Sequence, residues 1–389
     1  MATILIANIG SASKKYALYD GDVRLFGTHF EHEGNSYVAT WNISGRQTKK
    51  AVSEKEYARA AALVVKKAEE EKFLTRKLDT IGIRVVAPGI YFTEHRLIDS
   101  EYVKKLEAAA KLAPLHATAA LAEIKELRKL FPGVPLVGAS DSAFHKTMPE
   151  TARRYALPEP IVKKFELYRY GYHGLSFASA ARKLAAFRGG IPKRTAVCHL
   201  GSGSSITALR NGESIDTTMG FTPLEGLPMT TRSGSVDPGA IIFLEEKLKL
   251  KPRALEKKLN NESGLLGVSQ LSSDIRELLK AESLGDKAAA LALGLFVYHI
   301  RKQIGAMAAV LGGLDALVFT GTVGERSDII RERVVEGLGF LKLSLSHSAN
   351  DEVLGDTDAS IGKMISHAKI YVLTADEAGE IAQIVNELG

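Results

Sequence analysis

Residues His199 to Gly212 read HLGSGSSITALRNG, and residues Ile6 to Gly21 read IANIGSASKKYALYDG. Aligned on Gly10 and Gly201, Ser11 meets Ser202, Ser13 meets Ser204, and Asp20-Gly21 meets Asn211-Gly212. The interval from glycine to turn pair is the same in both copies. An apolar, strand-like run precedes each glycine (TILIAN, TAVCHL), and a second follows it (KYALYD, SITALR). Each second run ends on Asp-Gly or Asn-Gly, the strongest short hairpin signal. The pattern predicts that each half of the chain opens with strand, Gly/Ser turn, strand and tight turn in matched register.

A Gly/Ser turn lets several backbone N–H groups converge with no Cβ in the way. Serine hydroxyls add donors, and the result is a nest for phosphate oxygens. Two unrelated hairpins are the plain alternative, since glycine and serine are common in turns. The repeated spacing favours phosphate binding. A third glycine stretch, GTVGERSD, follows the strand-like DALVFT (Asp315 to Thr320) and precedes the helical-looking IIRERVVEGL. Strand, glycine turn and helix start suit a nucleotide lying against backbone. The chain holds neither a GxxxxGK[ST] loop nor a GxGxxG fingerprint, so the commonest nucleotide folds are not indicated.

The length of 389 residues predicts two domains. The single cysteine, Cys198, cannot form an internal disulfide and sits in the apolar run TAVCHL, which reads as a buried structural thiol in a reducing, cytoplasmic setting. The run ATILIAN turns polar too soon for a signal peptide. The apolar segment Ala288 to Gly313 carries His299, Arg301 and Lys302, and Leu293, Val297, Ile300, Ile304 and Leu311 recur at helical spacing. It reads as a long buried helix rather than a membrane span. The formal net charge is +6, but acids interleave with bases in KKAEEEKF and EKLKLKPRALEKK. These are solvated faces, so neither nucleic acid nor membrane is an expected partner; a modest positive balance suits small anionic substrates.

Beyond the repeat, the chain resembles the acetate kinases, acyl-phosphate-forming members of the acetate/sugar kinase, heat-shock chaperone and actin superfamily. The resemblance runs nearly end to end, through NIGSASKKY, GIRVVAPG, FTEHRLID, LAPLH, DSAFHKTMPE, RYGYHGLS, CHLGSGSS, MGFTPLEGL, TRSGSVDP, SGLLGVS, SSDIRE and GGLDALVFTGTVGE. It implies an α/β fold in which two duplicated βββαβαβα domains, of the ribonuclease H-like and actin-like ATPase type, flank a cleft. The first would cover residues 1–149, with a C-terminal helix at about 375–389 packing back on it. The second, 150–374, would carry the nucleotide site and a homodimer interface.

The implied reaction is reversible, Mg²⁺- or Mn²⁺-dependent, direct in-line phosphoryl transfer from ATP to acetate, giving acetyl phosphate and ADP. Acetate is already ionised at neutral pH, so no general base is needed. Catalysis must hold two anions together and stabilise the moving phosphoryl group. The resemblance assigns that work to Arg84, Asp141, His173 and Arg232. Arginine forks suit such a clamp better than lysine. Val86, Leu115, Tyr172 and Pro223 match the acyl pocket, which Arg84 also borders. Ser13, Lys15, His199, Gly201, Ser202, Gly203 and Ser204 match the phosphate-loop positions. Asp274, Ile275, Arg276, Gly321, Thr322 and Gly324 match the nucleotide side. Asn8 and Glu377 match the metal surroundings, and His116 is a supporting histidine. For each single residue the plain reading is structural: an ion pair for an arginine, a satisfied core position for a histidine, a solvated helix acid for Glu377.

The chain departs from the family pattern at several positions. Ile83, Ala87 and Pro88 stand where the family reads GHRVVHGG, Tyr172 replaces a phenylalanine, and Ser202 and Arg326 each replace an asparagine. These changes leave open a propionate- or butyrate-preferring kinase and a pyrophosphate-linked one. A non-catalytic actin-like nucleotide switch is the rival from another class; the pair Arg84 and Arg232 argues against it.

Overall fold

The computed structural model describes residues 2–10, 13–33, 36–43, 45–74, 77–112, 114–353, 355 and 357–388, without the side chains of residues 33 and 114–116. The chain divides into two compact units, Met1–Ala143 with Asp376–Gly389, and Phe144–Ala375.

The first unit contains β1 (Thr3–Ile9), β2 (Ser13–Asp20), β3 (Val23–Glu33), β4 (Ser36–Ile43), β5 (Arg46–Val52), β6 (Thr80–Val85), β7 (Arg96–Leu97) and β8 (Leu136–Ser140). They form one sheet in the order β5-β4-β3-β2-β1-β6-β8-β7. The second unit contains β9 (Arg194–Leu200), β10 (Ser204–Arg210), β11 (Glu213–Thr217), β12 (Ala316–Thr320), β13 (Ala359–Ser360) and β14 (Lys369–Val372), in the order β11-β10-β9-β12-β14-β13. Without β4 and β5 the two orders coincide. In each, an antiparallel meander leads into a parallel trio, β1-β6-β8 or β9-β12-β14. The duplicated βββαβαβα core expected from the sequence is present.

The repeat is real, but its register is not matched residue for residue. The last pair of β1 and β2 is Ile9 with Lys14, and that of β9 and β10 is Leu200 with Ser204. The second turn is therefore one residue shorter. (Ser11, aligned above with Ser202, lies outside the described residues.) Further on, equivalent residues differ by 190 rather than 191. The β-bulges obey this offset: the extra residue is Leu25 opposite Leu18/Tyr19, and Ile215 opposite Ala208/Leu209. The next turns obey it too. Arg210 pairs with Glu213 around Asn211-Gly212, whose φ values of 53° and 90° suit a type I′ hairpin. Asp20, expected in the turn, instead pairs with Val23 and leaves Gly21-Asp22 as the loop. Gly21 takes the left-handed position, at φ 59°.

The central strands of each sheet are covered on both faces, which is why β1 is buried along its whole length, whereas β5 at the edge is exposed. In the second unit one face packs on the helix Lys287–Leu311, through Ala292, Phe296 and Ile300. Asp286 caps its first amides at 2.9 Å, and Gly312, at φ 74°, ends it. The residues read as a helical stripe, Leu293, Val297, Ile300, Ile304 and Leu311, are all buried. Among the described residues no helix is long and apolar enough to cross a membrane.

The other face of that sheet takes the helix Gly174–Arg188, through Phe177, Ala180, Ala181 and Leu184. The corresponding face of the first unit takes the C-terminal helix Glu377–Leu388, whose Ile381 and Val385 lie against Gly82 of β6. Each sheet is thus completed by a helix that the chain order alone would give to the other half.

Candidate active site

In open α/β sheets ligands collect at the carboxyl ends of the parallel strands. In the first unit those ends carry Asn8 on β1, Arg84 on β6 and Asp141 just after β8, and the C-terminal helix brings its first residue, Glu377. The Arg84 guanidinium donates Nε to Asp141 Oδ1 at 3.2 Å and Nη2 to Oδ2 at 2.8 Å, a two-pronged pair. Its Nη1 donates to Asn8 Oδ1 at 3.3 Å and to Glu377 Oε2 at 3.4 Å. Asn8 Nδ2 closes the set by donating to Glu377 Oε2 at 2.6 Å. Asp141 is fully buried, and the side chains of Arg84 and Glu377 are 13% and 14% exposed. Burial alone would lower the Arg84 pKa; Asp141 and then Glu377 outweigh it and raise the pKa, so the guanidinium stays charged.

Four proposed residues from distant parts of the chain therefore meet here. Two carboxylates face one guanidinium, so the cluster carries an excess negative charge that suits a cation. Its oxygens are of the hard type that Mg²⁺ prefers. Among the described residues no group of three or more His, Cys, Asp or Glu side chains is placed to hold a metal ion. Lys15 is the cross-strand partner of Asn8 and is exposed, and the carbonyl of Ser13 accepts from Gly10 N at 2.8 Å. Val86 is buried just beyond β6. The side chains of Leu115 and His116 lie outside what is described.

The second unit gathers a different set. His173 caps the helix Gly174–Arg188 with φ 60°, an uncommon conformation for a side chain other than glycine. Its Nδ1 lies 2.8 Å from Ser205 Oγ, and its ring stacks on His199 at 4.2 Å. His199 Nδ1 is in turn 2.8 Å from Ser176 Oγ. These bonds leave Nε2 of His173 turned toward the glycine loop: a Cβ on Gly203 would sit 3.1 Å from it and 3.6 Å from Arg232 Nη1. Arg232 also donates from Nη1 to the Pro223 carbonyl at 3.4 Å.

The loop itself is tied by Ser204 Oγ, which donates to Gly201 O at 3.2 Å, and by Thr230 Oγ1, which donates to Ser202 O at 3.1 Å. Against it lies the third glycine stretch. A Cβ on Gly321, whose φ is +78°, would meet Leu200 O at 2.7 Å, and one on Gly201 would meet Thr322 N at 3.8 Å. The stretch expected as a turn is itself a short helix, Gly321–Arg326, and Gly324 is buried within it. His173, His199, Arg232, Gly201 to Ser204, and Gly321 to Gly324 thus form one neighbourhood.

Tyr172 is buried, and its hydroxyl donates to Phe221 O at 2.6 Å. The hydroxyl that distinguishes it from phenylalanine is committed to backbone. Asp274 spends its carboxylate on its own helix: it accepts from Arg276 N at 2.8 Å and pairs with the Arg276 side chain, which holds its pKa down. Ile275 opens that helix and is buried. Arg326 is exposed.

Three side chains passed over in the sequence hold this neighbourhood in place. Ser205 orients His173, and only its position in GSGSS hinted at it. Arg331 is completely buried and donates to the carbonyls of Gly324 and Glu325 at 3.0 and 2.8 Å and to Asn350 Oδ1 at 2.7 Å. Burial pushes its pKa down to about 10. Glu325 accepts from Gly321 N and Ala375 N.

A family model described as the acetokinase family matches residues 3–383. Acetate kinase 1 of Neisseria meningitidis serogroup B is 42% identical over 352 residues, covering 89% of this chain and 88% of that protein. Among solved structures, an acetate kinase from Porphyromonas gingivalis superposes with a TM-score of 0.87 at 34% identity over 100% of both chains. A propionate kinase from Francisella tularensis subsp. tularensis superposes with a TM-score of 0.91 at 33% identity, again over 100% of both chains.

Proposed function

The chain belongs to the acetokinase family, and from that premise we propose that it transfers the γ-phosphoryl group of ATP to acetate, forming acetyl phosphate and ADP, and runs the reverse reaction. The observation that carries the reading is the approach of His173 and Arg232 to Gly203. Two side-chain donors at one point of a glycine loop are what a phosphoryl group gathering charge on its equatorial oxygens requires.

The acceptor carboxylate arrives ionised, so no residue has to take a proton from it. Arg232 and His173 stabilise the oxygens of the group in flight. Ser205 holds the imidazole of His173, and Ser204 and Thr230 hold the loop. Arg84 is the proposed carboxylate and phosphoryl ligand of the first unit. Four of its five N–H groups are engaged with Asp141, Asn8 and Glu377, and one on Nη2 remains uncommitted among the described residues. Asn8, Asp141 and Glu377 would hold Mg²⁺ through its waters; when bound, the ion neutralises charge on the polyphosphate. Gly201 to Ser204 and Gly321 to Gly324 are the proposed polyphosphate and nucleotide contacts. Val86, Leu115, Tyr172 and Pro223 are the proposed acyl contacts.

We also read the two compact units as the two functional domains and the active form as a homodimer. Exposed Ile242, Phe243, Leu291 and Tyr298 on the helices Pro238–Leu248 and Lys287–Leu311 support a partner surface in the second unit.

The test is hydroxamate trapping of acyl phosphate with acetate, propionate and butyrate, each with ATP, GTP and pyrophosphate. Acetate with ATP is expected to give the highest kcat/KM. The likeness to a propionate kinase favours propionate as the second reading. One methylene is worth only about 10- to 200-fold in such a pocket. A tenfold preference for propionate or butyrate, or for pyrophosphate as donor, overturns the assignment.

A further inference from the structure

Glu325 lies outside the residues proposed to touch substrate, yet its carboxylate joins two parts of the second unit. Oε1 accepts from Gly321 N at 2.8 Å, from Ala375 N at 2.9 Å and from Thr320 Oγ1 at 3.4 Å. Burial pushes the Glu325 carboxyl up, and the amides of Ala375 and Gly321 pull against that shift. A half-buried acid beside a loop meant for phosphates would repel its ligand. Pointed at backbone N–H groups, it acts on the chain instead.

Both ends of the link matter. Gly321 rests on the end of β9, where Leu200 O blocks any Cβ, and the next amide, Thr322 N, abuts Gly201. A displaced Gly321 therefore disturbs both glycine loops at once. At the other end the chain leaves β14 under successive anchors. Leu373 N donates to Phe319 O at 2.9 Å, Thr374 N to Asp358 Oδ1 at 2.8 Å, and Ala375 N to Glu325. Ala375 is the last residue of the second unit and stands two positions before Glu377.

We propose that Glu325 is a positioning residue that couples the glycine loop at Gly321 to the chain at Ala375, so that nucleotide held by the loop also fixes the segment leading to Glu377. The proposal rests on the nucleotide-dependent reading above.

The experiment compares wild type, Glu325→Ala and Glu325→Gln in three measurements. These are ADP affinity by calorimetry, amide hydrogen exchange with and without ADP, and kinetics with acetate and ATP. Losing a charged hydrogen-bond acceptor should lower kcat/KM for ATP in Glu325→Ala by about 10- to 100-fold, with KM for acetate within about twofold. In wild type, ADP should slow exchange at both Gly321 and Ala375; in Glu325→Ala the effect at Ala375 should vanish. Glu325→Gln keeps an acceptor oxygen and should stay within about threefold of wild type.

The proposal is overturned if ADP protects Ala375 equally in Glu325→Ala, or if Glu325→Gln is as impaired as Glu325→Ala. Faster exchange spread over the whole second unit of both variants would also overturn it, since that marks general loosening. If wild type binds ADP but phosphorylates no short acid, the acetate reading fails, and the affinity and exchange arms still decide the role of Glu325. If wild type binds no ADP, both fall.

Discussion

Replacing Asp141 by alanine should destabilise the first unit more than any surface charge change, because it strands a buried guanidinium. Asp141 is fully buried and Arg84 nearly so, so solvent screens the pair weakly. Removing one partner of such a pair costs about 3–5 kcal/mol. Arg84 would keep Asn8 Oδ1 and Glu377 Oε2, but at 3.3 and 3.4 Å, which are long contacts. That places the loss toward the lower end, about 3 kcal/mol. For a unit of this size the melting temperature should fall by roughly 6–12 °C. The only tryptophan, Trp41, is buried on β4, so its fluorescence in urea follows the first unit selectively. The decisive comparison adds Arg84→Met. If the penalty is an orphaned charge, the double variant Arg84→Met/Asp141→Ala is more stable than Asp141→Ala alone. A superimposable Trp41 transition for Asp141→Ala, or simply additive losses in the double variant, refutes the reasoning.

Two further outcomes are expected. Arg232→Ala should lower kcat by about 10²- to 10³-fold, the range for a lost charge-stabilising donor, with an unaltered thermal melt; unchanged turnover removes Arg232 from the site. Tyr172→Phe deletes the hydroxyl that donates to Phe221 O, so stability should fall by about 1 kcal/mol. Its ratio of propionate to acetate kcat/KM should rise as the Phe221 to Pro223 segment loosens, and an unchanged ratio in steady-state assays means that the hydroxyl plays no part in acyl selection.

The duplication was legible because glycine, serine and Asn-Gly turns have few alternatives in backbone space. Its one-residue offset was not. The shorter turn after Gly201 and the move of the next loop from Asp20-Gly21 to Gly21-Asp22 cancel in the sequence spacing. Equal intervals therefore hid unequal turns. The bulges at Leu25 and Ile215 expose the true equivalence, since a bulge depends on cross-strand pairing, which a linear spacing does not record. The stripe in Lys287–Leu311 was legible for the opposite reason: a helix writes its buried face into local periodicity.

The polar network was least legible, because each member is defined by a partner that only the fold supplies. Glu377 lies 293 positions from Arg84, and its TADEA context says little about either. The meeting follows from the helix that completes the first sheet. Gly82 admits Ile381 and Val385 against β6, and that contact sets the first turn of the helix beside the carboxyl end of the same strand, where Arg84 stands. A missing Cβ at position 82 and an acid at 377 are thus one feature, since the glycine seats the helix that carries the acid. Glu325 and Arg331 follow the same logic: most of their targets are backbone groups, which leave no trace in side-chain spacing.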